Sequence, residues 1–229
     1  LQFLRERATM IRITILEMLA QAGSGHSGGA LGLADLYTML YWEILHHEPQ
    51  HPEWPDRDRL LVSNGHTVPV WYATLAEAGY FSKSELTSLR RVNSRLQGHP
   101  WLNSSPGIEN TSGSLGQGLS QALGLALGLR LDHHHNWVHC ILSDAEHQEG
   151  QTWEAYMAAA HYQADHLVAW IDRNQIQIGG TTTTEMEIEP LTEKIRSFGW
   201  HVQVINGHNY NSIFDAWQRV KQVSAQPHA

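Results

Sequence analysis

Residues 137–172 read WVHCILSDAEHQEGQTWEAYMAAAHYQADHLVAWID. Two short apolar runs, Trp137 to Leu142 and Leu167 to Ile171, flank a helical segment around Thr152 to His161. Runs of this length bounded by polar turns read as strands, and strand, helix, strand in succession reads as a right-handed βαβ unit with parallel strands. Upstream, Leu60-Leu61-Val62 ends in Ser63-Asn64-Gly65-His66, a third strand feeding a turn. Downstream, Trp200 to Ile205 reads as a fourth, after a helix near Leu191 to Phe198. Apolar positions Leu4, Ala8, Ile11, Ile15, Met18 and Leu19 put one stripe on a helix over residues 2–21. Further helices are expected at about Leu31 to Leu45, Val70 to Ala78 and Ser212 to Val223. The alternation predicts an α/β fold: a mainly parallel sheet flanked by helices on both faces, in one domain over residues 1–229. The last helix trails into Gln226-Pro227-His228-Ala229 where another strand is expected, so the domain is expected to be truncated at its C-terminal end.

Three local readings carry physical expectations of their own. Four glycines in Gly23-Ser24-Gly25-His26-Ser27-Gly28-Gly29 predict a loop. Ser82 with Glu85 three residues on predicts a capping box opening a helix to about Val92. Gly116, Gly118, Gly124 and Gly128 inside the apolar segment Leu115 to Leu131 predict a buried helix against which another backbone packs closely.

With 15 Lys plus Arg against 23 Asp plus Glu, the net charge is −8, and no basic run is present. That balance argues against a nucleic-acid or anionic-membrane surface as the main partner. One cysteine, Cys140, excludes an internal disulfide, and no apolar stretch approaches the ~18 residues that span a bilayer, so the default expectation is cytoplasmic. Cys140 lies in a predicted buried strand and reads as packing. Of the 16 histidines, His133-His134-His135 has no partner ligands at a recognisable spacing and reads as a solvated turn.

The C-terminal ends of parallel strands share one sheet edge, where ligands bind in such folds. Asp144 and Asn174 follow two such strands, 30 residues apart. Either they cap a helix and form a turn, or they act together. An Asp carboxylate, an Asn amide oxygen and a main-chain carbonyl such as that of Ile176 are hard oxygen donors suited to Mg²⁺ or Ca²⁺, and Mg²⁺ completes its shell with phosphate oxygens and water.

The run Asp144-Ala145-Glu146-His147-Gln148-Glu149-Gly150-Gln151-Thr152-Trp153-Glu154-Ala155, followed by Asp172-Arg173-Asn174-Gln175-Ile176, resembles the thiamine diphosphate motif of transketolases. Ser24-Gly25-His26, Ser63-Asn64-Gly65-His66, Gly98-His99-Pro100 and Thr111-Ser112-Gly113-Ser114-Leu115-Gly116-Gln117-Gly118 are similar to the family's other motifs, in order and spacing. The resemblance covers nearly the whole chain and is to the amino-terminal, diphosphate-binding domain.

By that resemblance Asp144, Asn174 and the Ile176 carbonyl would hold Mg²⁺ or Ca²⁺, and the amide of Ala145 would face the diphosphate. Gly113, Ser114 and Leu115 would line thiamine diphosphate, with Glu146 and Asn174 also on the cofactor and Ile178 by the thiazolium. His66 would contact the diphosphate side, and His26, His66 and His99 would be catalytic, serving the hydroxyls and carbonyl of a ketose. Glu149 and Glu154 would lie at a dimer interface. The chemistry fits: breaking a carbon–carbon bond beside a ketone needs an electron sink, which thiamine supplies, and groups that exchange protons near neutral pH, which histidine supplies. Ser143 and Ala145 stand where the family pattern has glycines, and the methyl group at 145 narrows the room beside the diphosphate; Ser27 in place of proline loosens the first histidine loop.

The resemblance further implies a split enzyme. The activating glutamate comes from the family's pyrimidine-binding domain, so a separate C-terminal subunit would supply it, in a homodimer of such pairs acting on a sugar phosphate. The alternatives are another thiamine diphosphate enzyme, of the deoxyxylulose-phosphate synthase or 2-oxo acid dehydrogenase alpha type, a non-catalytic assembly subunit, or, ranked last, a transition-metal binding protein.

Overall fold

The computed structural model describes every residue from Leu1 to Ala229. The chain forms two compact units interleaved along its length: Leu1–Arg57, Gly65–Gly113 and Ile205–Trp217 in the first, Asp58–Asn64, Ser114–Val204 and Gln218–Ala229 in the second.

The first unit is helical. The α1 helix (Gln2–Ala22) buries Leu4, Ala8, Ile11, Ile15 and Met18, the stripe its sequence predicts, and packs against the helices Ala34–Met39 and Val68–Ala78. It ends at Gly23 in the left-handed region, φ 66°, whose N–H returns to the carbonyls of Leu19 and Ala20. The single helix expected from Leu31 to Leu45 is instead α2 (Gly28–Gly32), α3 (Ala34–Met39) and a π-turn over Leu40–Ile44. Gly28 and Gly29, expected in the loop, open α2, and Leu31 donates its N–H to the Ser27 carbonyl at 2.9 Å. The α4 helix (Val68–Ala78) follows a 3₁₀ turn at Gly65–Thr67. The helix expected from Ser82 is only a 3₁₀ segment, Lys83–Ser88: Ser82 Oγ accepts from the Ser84 amide, and the Glu85 carboxylate that a capping box needs is taken by Arg95 at 2.7 Å.

The second unit holds the sheet. Strands β1 (Arg59–Val62), β2 (Val138–Ser143) and β3 (Leu167–Asp172) are parallel, in the order β1-β2-β3. All six residues of β2 are buried, so neither of its faces meets solvent, as in parallel sheets generally. The α5 helix (Gly118–Leu131) crosses all three strands and packs on α6 (Gly150–His161). Their shared core includes Leu61, Leu119, Cys140, Leu142, Tyr156, Leu167 and Trp200. The glycine expectation for α5 holds at one end only. A Cβ on Gly118 would lie 2.4 Å from Ser63 Cβ, whereas Gly124 and Gly128 face open space.

Beyond β3 the chain forms a two-residue hairpin, β4 (Ile176–Gln177) and β5 (Gly180–Thr181), then α7 (Thr182–Glu185) and α8 (Leu191–Ser197). The strand expected from Trp200 to Ile205 is not a strand. The edge of β3 is taken by His228, which bridges Val168 on one side and His201 on the other, so residues 200–205 meet only a short stretch of backbone that begins with a proline, and no ladder extends. The final helix, α9 (Tyr210–Val220), begins in the first unit, where Tyr210 and His208 bond Asp35 at 2.7 and 2.9 Å beside Arg12 at 2.6 Å. Burial pushes the Asp35 carboxyl up, and these three donors together hold it below its ordinary value. No helix is long and apolar enough to cross a membrane. Cys140 is buried in β2, where desolvation drives its thiol up and leaves it inert, and His133 and His135 are exposed in a turn.

Candidate functional site

The end of the sheet brings together what the sequence separates. Ser143 pairs with Asp172 as the last step of the β2–β3 ladder, and the Asp144 amide donates to the Asp172 carbonyl at 3.1 Å. One Asp144 carboxylate oxygen accepts from the Ala145 amide at 2.8 Å and the other from the Gln175 amide at 2.6 Å. Asp144 therefore lies against the 172–175 turn. In that turn Asn174 Oδ1 accepts from the Ile176 amide at 2.9 Å, and its Nδ2 donates to Asp172 at 3.0 Å. The Ala145 amide, expected to face a diphosphate, is here directed at the Asp144 side chain.

Asp144 is fully buried, and desolvation raises its pKa despite the two amides and the charge of Arg173. A carboxylate left short of positive charge is the donor a divalent cation would satisfy. No group of three or more His, Cys, Asp or Glu side chains is arranged to hold a metal ion. The oxygen set of Asp144, Asn174 and a backbone carbonyl thus fits Mg²⁺ only if a ligand's phosphates complete the shell. Ile176 and Ile178 are exposed, Ile178 fully so, and both belong to the 176–181 hairpin and its tip. Ser114 is exposed and Leu115 half-buried at the start of the turn that leads to α5.

Glu146 is the main departure from expectation. Rather than lining a cofactor, its carboxylate turns inward and is fully buried. It accepts from Ser63 Oγ, from the Gly116 amide at 3.0 Å and from the Ser143 amide at 2.8 Å. Desolvation raises its pKa against those bonds. His147 is buried as well. Its Nδ1 faces the carbonyls of Ser143 and Asp144 at 3.1 and 3.0 Å, which can only accept, so Nδ1 carries the proton and Nε2 accepts from Tyr156 at 2.9 Å. Burial lowers the His147 pKa to about 4. Tyr156→Phe, which strands Nε2 in a buried site, is expected to lower stability by ~1–3 kcal/mol; an unchanged urea midpoint would contradict this bond. Glu149 and Glu154 are both exposed, at the start of α6 and one turn in.

The histidines gather in the first unit. The ring centroids of His26 and His66 are 5.4 Å apart, and those of His26 and His99 are 6.3 Å apart, all edge-on. Gly65 makes this cluster: a Cβ there would lie 2.9 Å from the backbone of Ser112, so only glycine lets the His66 turn approach the 98–113 loop this closely. Gly113 rests on the His99 ring, 3.6 Å from where a Cβ would sit. His66 is half-buried, and desolvation, with the charges of His26 and His99, lowers its pKa to about 4. His99 is lowered in the same way, by desolvation first, then by His26 and Arg90.

Residues 4–229 match the family model described as transketolase, thiamine diphosphate binding domain. The chain belongs to the transketolase family. It is thus the thiamine diphosphate binding domain of a transferase family. It is 42% identical over 224 residues to a 6-deoxy-6-sulfo-D-fructose transketolase subunit of Clostridium sp., covering 98% of this chain and 82% of that protein. It is 36% identical to one of the apulose-4-phosphate transketolase subunits of Phocaeicola vulgatus, covering 95% and 77%. Among solved structures, transketolase from Leishmania mexicana superposes with a TM-score of 0.93 at 31% identity, covering 98% of this chain and 35% of that one. The Campylobacter jejuni enzyme gives 0.93 at 33% identity, covering 100% and 37%. The chain therefore spans about a third of the length of these solved transketolases, and about four-fifths of the length of the two relatives named as subunits.

What sequence reasoning missed in this transketolase domain is the inward set of Glu146, His147, Ser63 and Tyr156. The available signal was chemical. An acid and a histidine placed between a fully buried strand and a helix with a buried apolar face are either exposed or bonded on every side, and spacing alone does not say which.

Proposed function

We propose that this chain is the diphosphate-binding subunit of a split transketolase, transferring a two-carbon ketol unit from a ketose phosphate to an aldose phosphate. The observation that carries this is the match over 82% of the length of a relative itself named as a transketolase subunit. In this reading Asp144, Asn174 and the Ile176 carbonyl hold Mg²⁺ on the diphosphate, Gly113, Ser114 and Leu115 line thiamine diphosphate, and Ile178 packs by its thiazolium. Thiamine supplies the electron sink for carbon–carbon cleavage when bound. His66, with its pKa near 4, is neutral at physiological pH, so it donates and accepts hydrogen bonds without adding a positive charge. His26 and His99 exchange protons with the sugar's hydroxyls and carbonyl. A pyrimidine-binding partner supplies the activating glutamate, and exposed Glu149 and Glu154 serve the interface in a homodimer of such pairs. The cytoplasm is the proposed compartment.

The test is reconstitution. Mixed with a pyrimidine-binding subunit, thiamine diphosphate and Mg²⁺, the chain is expected to transfer ketol from a ketose phosphate, while each of the two proteins on its own is inactive. Full activity from this chain by itself would refute the split arrangement.

A further inference from the structure

Glu146 lies two residues from Asp144 yet its carboxylate is fully buried against protein, and its partners come from three places in the chain. Oε1 takes Ser63 Oγ, 83 residues away at the end of β1, and the Gly116 amide, 30 residues away at 3.0 Å. Oε2 takes the Ser143 amide at 2.8 Å, with the Ser143 hydroxyl at 3.4 Å. Ser63 passes the tie onward, accepting from the Gly118 amide at the start of α5 at 3.0 Å. The Glu146 carbonyl accepts from Thr152 of α6 at 2.9 Å.

Burying a carboxylate completely is expensive, and an apolar side chain of similar size would fill this space at lower cost if packing were all that was needed. The bonds show what the acid does instead. They hold the backbone on the N-terminal side of Asp144, while His147 holds the carbonyls of Ser143 and Asp144. None of them engages the Asp144 carboxylate itself. We propose that Glu146 is a positioning residue: its carboxylate locks the end of β1, the turn before α5 and the end of β2 into one frame, fixing the loop that presents Asp144 before cofactor binds. The proposal rests on Asp144 as the anchor of a metal-bound diphosphate.

The experiment uses Glu146→Gln, Glu146→Ala and Ser63→Ala in the full chain assembled with its pyrimidine-binding subunit. Glutamine keeps the shape and one acceptor but turns an NH₂ group toward the Ser143 amide. Three quantities are read: hydrogen exchange of the Ser143 and Gly116 amides without cofactor, Mg²⁺-dependent affinity for thiamine diphosphate by calorimetry, and kcat at saturating cofactor. Glu146→Gln is expected to speed exchange at both amides about tenfold and to weaken cofactor binding ~10–100-fold, the range for groups that orient metal ligands. At saturation kcat should stay within about threefold. Ser63→Ala should move the same readouts in the same direction by less, and it decides the matter if Glu146→Ala does not fold. Faster exchange with unchanged affinity would reduce Glu146 to a purely structural role and overturn the proposal, as would unchanged exchange. If the unmodified assembly binds no thiamine diphosphate, the cofactor reading falls and the proposal with it; normal binding by that assembly with unchanged affinity in Glu146→Gln sinks the proposal alone.

Discussion

Replacing Asp144 with alanine is expected to abolish Mg²⁺-dependent binding of thiamine diphosphate at micromolar cofactor while leaving the fold intact. Asp144 is the only carboxylate in the proposed oxygen set, and groups that merely orient metal ligands are worth ~10–100-fold in affinity, so loss of the charged ligand should cost at least about 100-fold. The effect on folding should be small because two contributions oppose. Desolvation already disfavours the buried charge, so its removal relieves a cost, while the Ala145 and Gln175 amides lose an acceptor. Gln175 is exposed, and its N–H can turn to water. Calorimetry and thermal melting on the same sample separate the two effects. Retention of tight, Mg²⁺-dependent binding by Asp144→Ala would contradict the assignment.

Lowering the pH from 7 toward 4.5 is expected to destabilise the cofactor-free protein steeply. Burial lowers the pKa of His139 to about 3, and those of His66, His147 and His228 to about 4. Each is neutral when folded and takes up a proton when unfolded below about 6.5, so the unfolded state binds more protons in this window. The stability these groups contribute is complete above pH ~6.5 and lost progressively toward pH 4. At ~1.4 kcal/mol per pKa unit, the fully buried His139 and His147 alone amount to several kcal/mol, against a typical total of ~5–15. Asp144 and Glu146 act in the opposite sense. Their raised pKa values mean that stability falls as pH rises from the ordinary carboxylate range and is regained on acidification. Asp35, lowered, adds a loss only below about pH 3.8. His99 and His201 are lowered as well, so the histidines outnumber the two raised acids and the net slope between pH 6.5 and 4.5 is a loss. Melting temperatures measured across that range test it, and a flat profile would mean that the histidines are not held neutral by the fold.

Much of the architecture was legible because the signals were local. The apolar runs of β1, β2 and β3 and the stripe of α1 each identify their element by period alone, and the parallel order follows from the helices between the strands. The same reasoning put Asp144 and Asn174 at one sheet edge, where the Gln175 amide meets the Asp144 carboxylate. Misreadings arose where a distant partner decided. Residues 200–205 have the composition of a strand, but strand status depends on the neighbour, and His228 supplies only a short one. Glu85 has the right spacing for a capping box, but Arg95, ten residues on, competes for it. Gly124 and Gly128 suggested close packing that only Gly116 and Gly118 show, because a glycine records that a side chain is missing and not what stands opposite. At the site, residue types indicated oxygen ligands and histidine proton chemistry, while the direction of Glu146 depended on Ser63 and Gly116, partners that no spacing rule connects to it.

The most direct measurement is a crystal structure of the assembled complex with thiamine diphosphate and Mn²⁺ in place of Mg²⁺, with the metal located by its anomalous signal. A single peak within coordination distance of both Asp144 Oδ and Asn174 Oδ1, touching the diphosphate, is the predicted result. A metal bound elsewhere, or a diphosphate seated away from both residues, would contradict the account.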